Sequence, residues 1–306
     1  MVHHKKIRIR GLSVKKKRHR KARKDRTYNN QHPLNKNHII SPDTDIKKFR
    51  IAVIESLPEG EIHTGTKLYE GELKPLTLSD ESRTASLHIV KDKTEFKKSI
   101  RDIIDSLSGD ELVTLHVEAH GAEENGIQLS SGEFLGWKDF MDNCRILNEV
   151  LNGLLIVTLS MCNSLPILGC VDPTKRAPFK AILLTNRNVT VDEVERGFIE
   201  FYNNYKNPLD VFKATDLIRN EVKNGDGKSI PFHLLVADTI FDWFVDLNRD
   251  PDGFAHIVNE NFCRLKSINP EYTRERTEEE IRGFINDLAK NGRDYFLYWD
   301  IVKKYR

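Results

Sequence analysis

Two stretches decide how this chain folds: "LVTLHVEAHGAEENGIQL", residues 112–129, and "LLIVTLSMCNSL", residues 154–165. Each is an apolar run, rich in β-branched residues, that stops at one reactive side chain, His120 in the first and Cys162 in the second. Short apolar runs bounded by polar or glycine-containing segments read as buried strands. In a sheet of parallel strands, functional groups collect beyond the carboxyl ends. Two neighbouring strands that end this way aim a thiol and an imidazole at the same rim. That is the pairing a nucleophile and its proton-transfer partner need.

Outward from these strands the pattern alternates. "FRIAVIES" (49–56) and "TASLHIVKD" (84–92) read as strands, and "TEFKKSIRDIIDSLSG" as a helix ending at Gly109. Phe96, Ile100, Ile103, Ile104 and Leu107 share one face of that helix. "ELVTLHVEA" (111–119) is the third strand, "GWKDFMDNCRILNEVL" (136–151) a helix, "LLIVTLS" (154–160) the fourth strand and "FKAILLTN" (179–186) the fifth. "TVDEVERGFIEFYNNY" opens with a capping box, Thr190 to Glu193, and carries Val194, Phe198, Phe201 and Tyr205 as its inner stripe. A further helix starts near Pro208 and stops before Gly225, "PFHLLVAD" (231–238) is a final strand, and the remainder reads as helical. Strands alternating with helices predict an α/β fold, a mostly parallel sheet between helical layers.

Charge is separated along the chain. Of the 48 lysines and arginines, 13 lie in residues 1–26 beside a single acid, so this arm carries +12 while the rest carries −10. Residues 1–46 hold almost no large apolar side chain and predict a disordered basic tail. Such a tail reads either as an arm for nucleic acid or an acidic partner, or as a solvated segment; no aromatic residue is interleaved among the charges of residues 1–26 to stack on bases. No apolar stretch is long enough for a membrane span, and no apolar core follows the basic start as in a secretory signal. The four cysteines, Cys144, Cys162, Cys170 and Cys263, have no disulfide-scaffold spacing, and a reduced cytoplasmic protein is the simplest expectation. Cys144 and Cys263 are expected to pack in helices. His116 is expected to pack or to make one hydrogen bond. A zinc site from His116, His120, Cys162 and Cys170 has no ligand spacing behind it, so neither metal nor other cofactor is expected.

The residues around His120 and Cys162 resemble a known family. "HVEAHGAEENGIQLSSGEFLGWKDF" is similar to the His-Gly segment of caspase-like cysteine proteases, and "LLIVTLSMCNSLPI" to their cysteine-bearing strand. The wording resembles the CHAT branch, bacterial relatives of caspases. The resemblance covers roughly residues 49–240, which implies a basic tail (1–46), a protease domain (47–240) and a helical C-terminal extension (241–306). It implies peptide-bond hydrolysis, with Cys162 as nucleophile, His120 as general acid and base, and the N–H groups of Gly121 and Cys162 as an oxyanion hole. Caspases carry Gln-Ala-Cys-Arg-Gly at the nucleophile, whereas Ser160 stands two residues before Cys162, so cleavage after aspartate is not implied. In that fold the pocket for the residue before the scissile bond would involve Ser160, Glu55–Ser56 and Asn186–Asn188; Glu55 or Asp172 would favour a basic residue there. The resemblance also implies a protein substrate, a separate activating protein, and a role in antiphage defence or regulated cell death. The competing reading is a non-catalytic interaction module that holds nucleic acid through its basic tail.

Overall fold

The computed structural model describes residues 48–108, 111–205, 210–221 and 231–302. The expected basic tail, Gly109, Pro208 and Gly225 all lie outside the described residues. Among the described residues there are eight strands: β1 (Lys48–Ser56), β2 (Arg83–Ile89), β3 (Glu111–Ala122), β4 (Gly126–Gln128), β5 (Phe134–Leu135), β6 (Ile156–Ser160), β7 (Ala181–Thr185) and β8 (Phe232–Val236). Six form the main sheet in the order β2-β1-β3-β6-β7-β8. Every neighbouring pair on this path is parallel except β7 and β8. The expected mostly parallel sheet between helices is therefore the observed one.

Alternation along the strands builds two apolar faces. Ala52 and Ile54 of β1, Val113, Leu115 and Val117 of β3, and Val157 and Leu159 of β6 face one side. There they meet Phe96, Ile100 and Ile103 of α3 (Lys93–Asp105) and Phe140, Met141 and Leu147 of α4 (Trp137–Val150). The Asp92 carboxylate starts α3 by accepting the Thr94 and Glu95 N–H groups. The opposite face carries Phe49, Ile51, Val53, Ile156 and Leu183. It is covered by Val194, Phe198, Phe201 and Tyr202 of α5 (Val191–Asn204) and by Val211, Ala214 and Ile218 of α6 (Val211–Glu221). The capping box at Thr190 is complete, with both reciprocal hydrogen bonds formed.

Three expectations change. First, residues 57–82, left unassigned in sequence, contain α1 (Thr64–Leu68), a π-helical turn (Tyr69–Leu73) and α2 (Lys74–Ser79). Gly65, Gly71 and Pro75 break the apolar periodicity that would have marked the segment. Second, β3 does not stop at Ala119; it runs to Ala122 because its last residues pair antiparallel with β4. Third, Cys263 is exposed on α8 (Pro251–Ile268) rather than packed, whereas Cys144 is buried.

After β8 come α7 (Ala237–Arg249), α8, α9 (Arg274–Asp287), α10 (Arg293–Phe296) and α11 (Trp299–Val302). They attach to the segment between β6 and β7. The Ala177 N–H donates to the Phe296 carbonyl at 2.9 Å, the Tyr298 hydroxyl to the Ala177 carbonyl at 3.1 Å, and the Arg176 guanidinium to the Asp300 carboxylate. Among the described residues no helix is long and apolar enough to cross a membrane.

Candidate active site

β3 and β6 are direct neighbours, and their last register pair is Glu118 opposite Ser160. Two residues further on stand His120, still within β3, and Cys162, in the turn that follows β6. Their backbones touch. A Cβ added at Gly121 would lie 1.9 Å from the Cys162 carbonyl oxygen and 3.3 Å from its nitrogen. Glycine at 121 is thus required by the chain itself. The atom that approaches it is the Cys162 carbonyl, where the sequence suggested a substrate backbone.

The thiol sits against the loop after β7. Cys162 Sγ accepts from the Val189 N–H at 3.4 Å and donates to the Val189 carbonyl at 3.7 Å. Val189 immediately precedes the N-cap of α5, so the sulfur is near the positive end of a 14-residue helix. The turn after the nucleophile is tied to the same loop. Asn163 adopts a left-handed conformation (φ 48°), which asparagine tolerates better than most residues. Its N–H donates to the Arg187 carbonyl at 3.1 Å, and its Nδ2 to Asn188 Oδ1 at 2.6 Å. The Ser164 hydroxyl accepts the Thr185 N–H at 2.9 Å.

His120 stands half exposed at the rim. Its Nε2 is 2.8 Å from Glu61 Oε2, in the loop after β1. Glu61 there fixes the ring orientation through Nε2 and leaves Nδ1 as the nitrogen not engaged by it. Glu61 is the orienting group that sequence reasoning missed. It lies in a polar loop, "PEGEIHTG", where nothing distinguishes it from its neighbours until the fold brings it across to residue 120.

Beneath the rim runs a buried polar row. Glu55 of β1 pairs in register with Glu118 of β3, which pairs with Ser160 of β6. Glu55 is fully buried inside β1, not in the loop after it, and its carboxylate is already occupied. It accepts from Thr66 N at 2.9 Å and Thr66 Oγ1 at 2.7 Å, and meets His63 Nδ1 at 2.8 Å. It therefore anchors the start of α1 and does not present a free charge to a substrate. Glu118 accepts from the Thr64 hydroxyl and lies 3.1 Å from His116 Nε2. His116 makes three polar contacts where one was expected. Its Nδ1 is 2.9 Å from Thr158 Oγ1 and 3.2 Å from the Tyr202 hydroxyl. Burial pushes the Tyr202 hydroxyl above the usual phenol range, so it stays a donor. His116 Nδ1 thus faces two hydroxyls while its Nε2 faces the Glu118 carboxyl group. The Ser160 hydroxyl is buried and has no hydrogen-bond partner among the described residues. Asn186 is exposed at the turn after β7, its N–H bonded to the Pro231 carbonyl at 3.2 Å. Asp172 closes a local turn on Thr174, away from this row.

Between α1 and α5 lies a cavity of about 270 Å³ with Glu118 in its wall. Among the described residues no three histidine, cysteine or acidic side chains converge to hold a metal ion.

No protein-family model matches the chain, and no curated protein matches it. Among solved structures it is similar to the crystal structure of the Drosophila initiator caspase Dronc, with 9% identity and a TM-score of 0.45. The match covers 62% of this chain and 80% of that one. A likeness of that depth decides nothing about chemistry, which rests on the registers and hydrogen bonds above.

Proposed function

We propose that this protein is a cysteine endopeptidase of the caspase-like kind, with Cys162 as nucleophile and His120 as its general acid and base. The observation that carries the reading is the adjacency of β3 and β6, in a register that brings residues 120–121 against residue 162. The Cys162 thiolate, held by the Val189 N–H and the α5 dipole, attacks the scissile carbonyl carbon. The oxyanion takes hydrogen bonds from the Gly121 and Cys162 N–H groups. His120, oriented by Glu61, gives the proton it took from the Cys162 thiol to the leaving amine, and the carbon–nitrogen bond breaks to leave a thioester. His120 then takes a proton from water, whose oxygen displaces the thiolate and frees the acid.

The resemblance of the two motifs to CHAT proteases extends this reading to a protein substrate, a separate activating protein and an effector role in antiphage defence or regulated cell death. The test is a broad peptide library incubated with wild type and with Cys162→Ala and read by mass spectrometry. Cleavage by the wild type alone is expected. Equal cleavage by both proteins removes Cys162 from the mechanism and overturns the reading.

A further inference from the structure

We infer that Glu55 and Glu118 are positioning residues of the reaction: together they hold residues 63–66 in place, so that Glu61 meets the His120 ring. The inference rests on the peptidase reading above.

The two side chains sit where they are costly. Glu55 of β1 and Glu118 of β3 are register partners, 0% and 4% exposed. The residues just before them, Val53 and Ile54 in β1 and Val117 in β3, are buried and apolar. A buried carboxyl group costs free energy unless its oxygens are bonded, and an apolar pair would fill the same space without that demand. Proteins break such a local rule chiefly at functional sites.

What the pair bonds is one short segment. Thr66 donates its N–H to Glu55 at 2.9 Å and its hydroxyl at 2.7 Å, and His63 Nδ1 lies 2.8 Å from the same carboxyl group. The Thr64 hydroxyl donates to Glu118. Gly65 lies directly on both: a Cβ there would stand 2.9 Å from Glu55 Oε1 and 3.1 Å from the Glu118 Cβ. Among the described residues Glu55 hydrogen-bonds to nothing outside this segment, and Glu118 only to His116.

The segment cannot hold itself. α1 has five residues, too few for a helix to be stable alone. His63, at its N-cap, makes no side-chain cap, and the Thr66 N–H, third in the helix, finds its acceptor on the sheet in Glu55. Glu61 stands two residues before His63, and the Ile62 carbonyl accepts the Thr64 N–H at 3.0 Å, so Glu61 follows the anchored segment. Glu61 and His120 are each about half exposed, and an exposed pair fixes geometry weakly on its own. The buried glutamates supply the constraint that this pair lacks.

The experiment compares Cys162-dependent peptide cleavage by the full chain with that of Glu55→Leu, Glu61→Gln and the double variant. Leucine keeps the sheet packed but accepts no hydrogen bond. Glu55→Leu is expected to stay folded by circular dichroism and to lower kcat about tenfold with KM nearly unchanged. The double variant is expected to lose no more than the weaker of its two parents, because both changes break one chain of contacts. Thr64→Val, which removes the bond to Glu118, is expected to act in the same way. If Glu55→Leu does not fold, Thr66→Ala is expected to lower kcat and Thr66→Ser, which keeps the hydroxyl, to restore it. A folded Glu55→Leu with full kcat overturns the inference, as do losses that multiply in the double variant or a Thr66→Ser no better than Thr66→Ala. Full kcat in Thr64→Val strikes Glu118 from it. In each of these cases the nucleophile stands. Cleavage that does not depend on Cys162, or none at all, removes the peptidase reading and the inference with it.

Discussion

At the scale of single residues, the site depends on contacts too short to tolerate substitution. Cys162→Ala is expected to abolish hydrolysis, and His120→Ala to lower it by about 10²–10⁴-fold, the span of general acid–base catalysis; steady-state kinetics on the cleaved peptide checks both. Among the described residues the Glu61 carboxylate hydrogen-bonds to His120 alone, so Glu61→Gln acts through ring orientation. It is expected to lower kcat about tenfold with KM nearly unchanged. A loss confined to KM would mean that Glu61 contacts substrate instead. Gly121→Ala brings a methyl group to 1.9 Å from the Cys162 carbonyl. Backbone must move, and a loss of at least about 1–3 kcal/mol in denaturant unfolding together with loss of activity is expected. Some of this was legible beforehand. His120 and Cys162 announce themselves by ending apolar runs. Glu118 carried a signal that the sequence reading did not use, a charge on the buried phase of a strand. Glu61 gave none.

At the scale of elements, α5 links packing to chemistry. Its capping box holds the N-terminus that faces Cys162 Sγ through Val189. Thr190→Ala is expected to cost about 1 kcal/mol of stability, visible as a melting temperature lower by about 2–4 °C. The two outer strands of the main sheet each carry a histidine whose pKa is lowered chiefly by burial, His88 on β2 and His233 on β8. Below the ordinary value of 6.5 the unfolded chain binds a proton at these positions before the folded chain does. Stability is therefore retained above that pH and falls as pH drops through it toward the lowered folded values. Melting curves between pH 7.5 and 5.5 are expected to show the decline, and His88→Gln with His233→Gln to flatten it. Helix periodicity revealed α3, α4 and α5 because each buries one continuous stripe. It failed over residues 57–82, where glycine, proline and a π-helical turn interrupt the stripe, and that is the segment that supplies Glu61, His63 and Thr64 to the site.

At the scale of the whole molecule, the C-terminal helices are fastened to the segment that follows the nucleophile. Arg176 is the rivet. It forks onto both Asp300 oxygens, donates to the Tyr295 carbonyl at 2.6 Å, and stacks on the Tyr295 and Tyr298 rings at 4.1 and 4.9 Å. Arg176→Ala is expected to cost about 1.5–3 kcal/mol. It should also let a protease clip residues 288–302 before the sheet is attacked, as limited proteolysis with mass mapping would show. Simultaneous loss of sheet and helices would mean that the two unfold as one unit.

The sequence by itself determined the six strands of the main sheet, most of the helices, the mostly parallel sheet they build and the two reactive residues at its rim. Those features follow from periodicity and local punctuation, which are properties of neighbours along the chain. Only the tertiary structure decided that β3 and β6 are adjacent, that Glu61 reaches His120, that Glu55 is spent on holding α1, and that Glu118 and Ser160 line up beneath the dyad. Each of these joins residues far apart in sequence. Strand order and register are fixed by how both faces of the sheet are covered at once, and no local pattern records that.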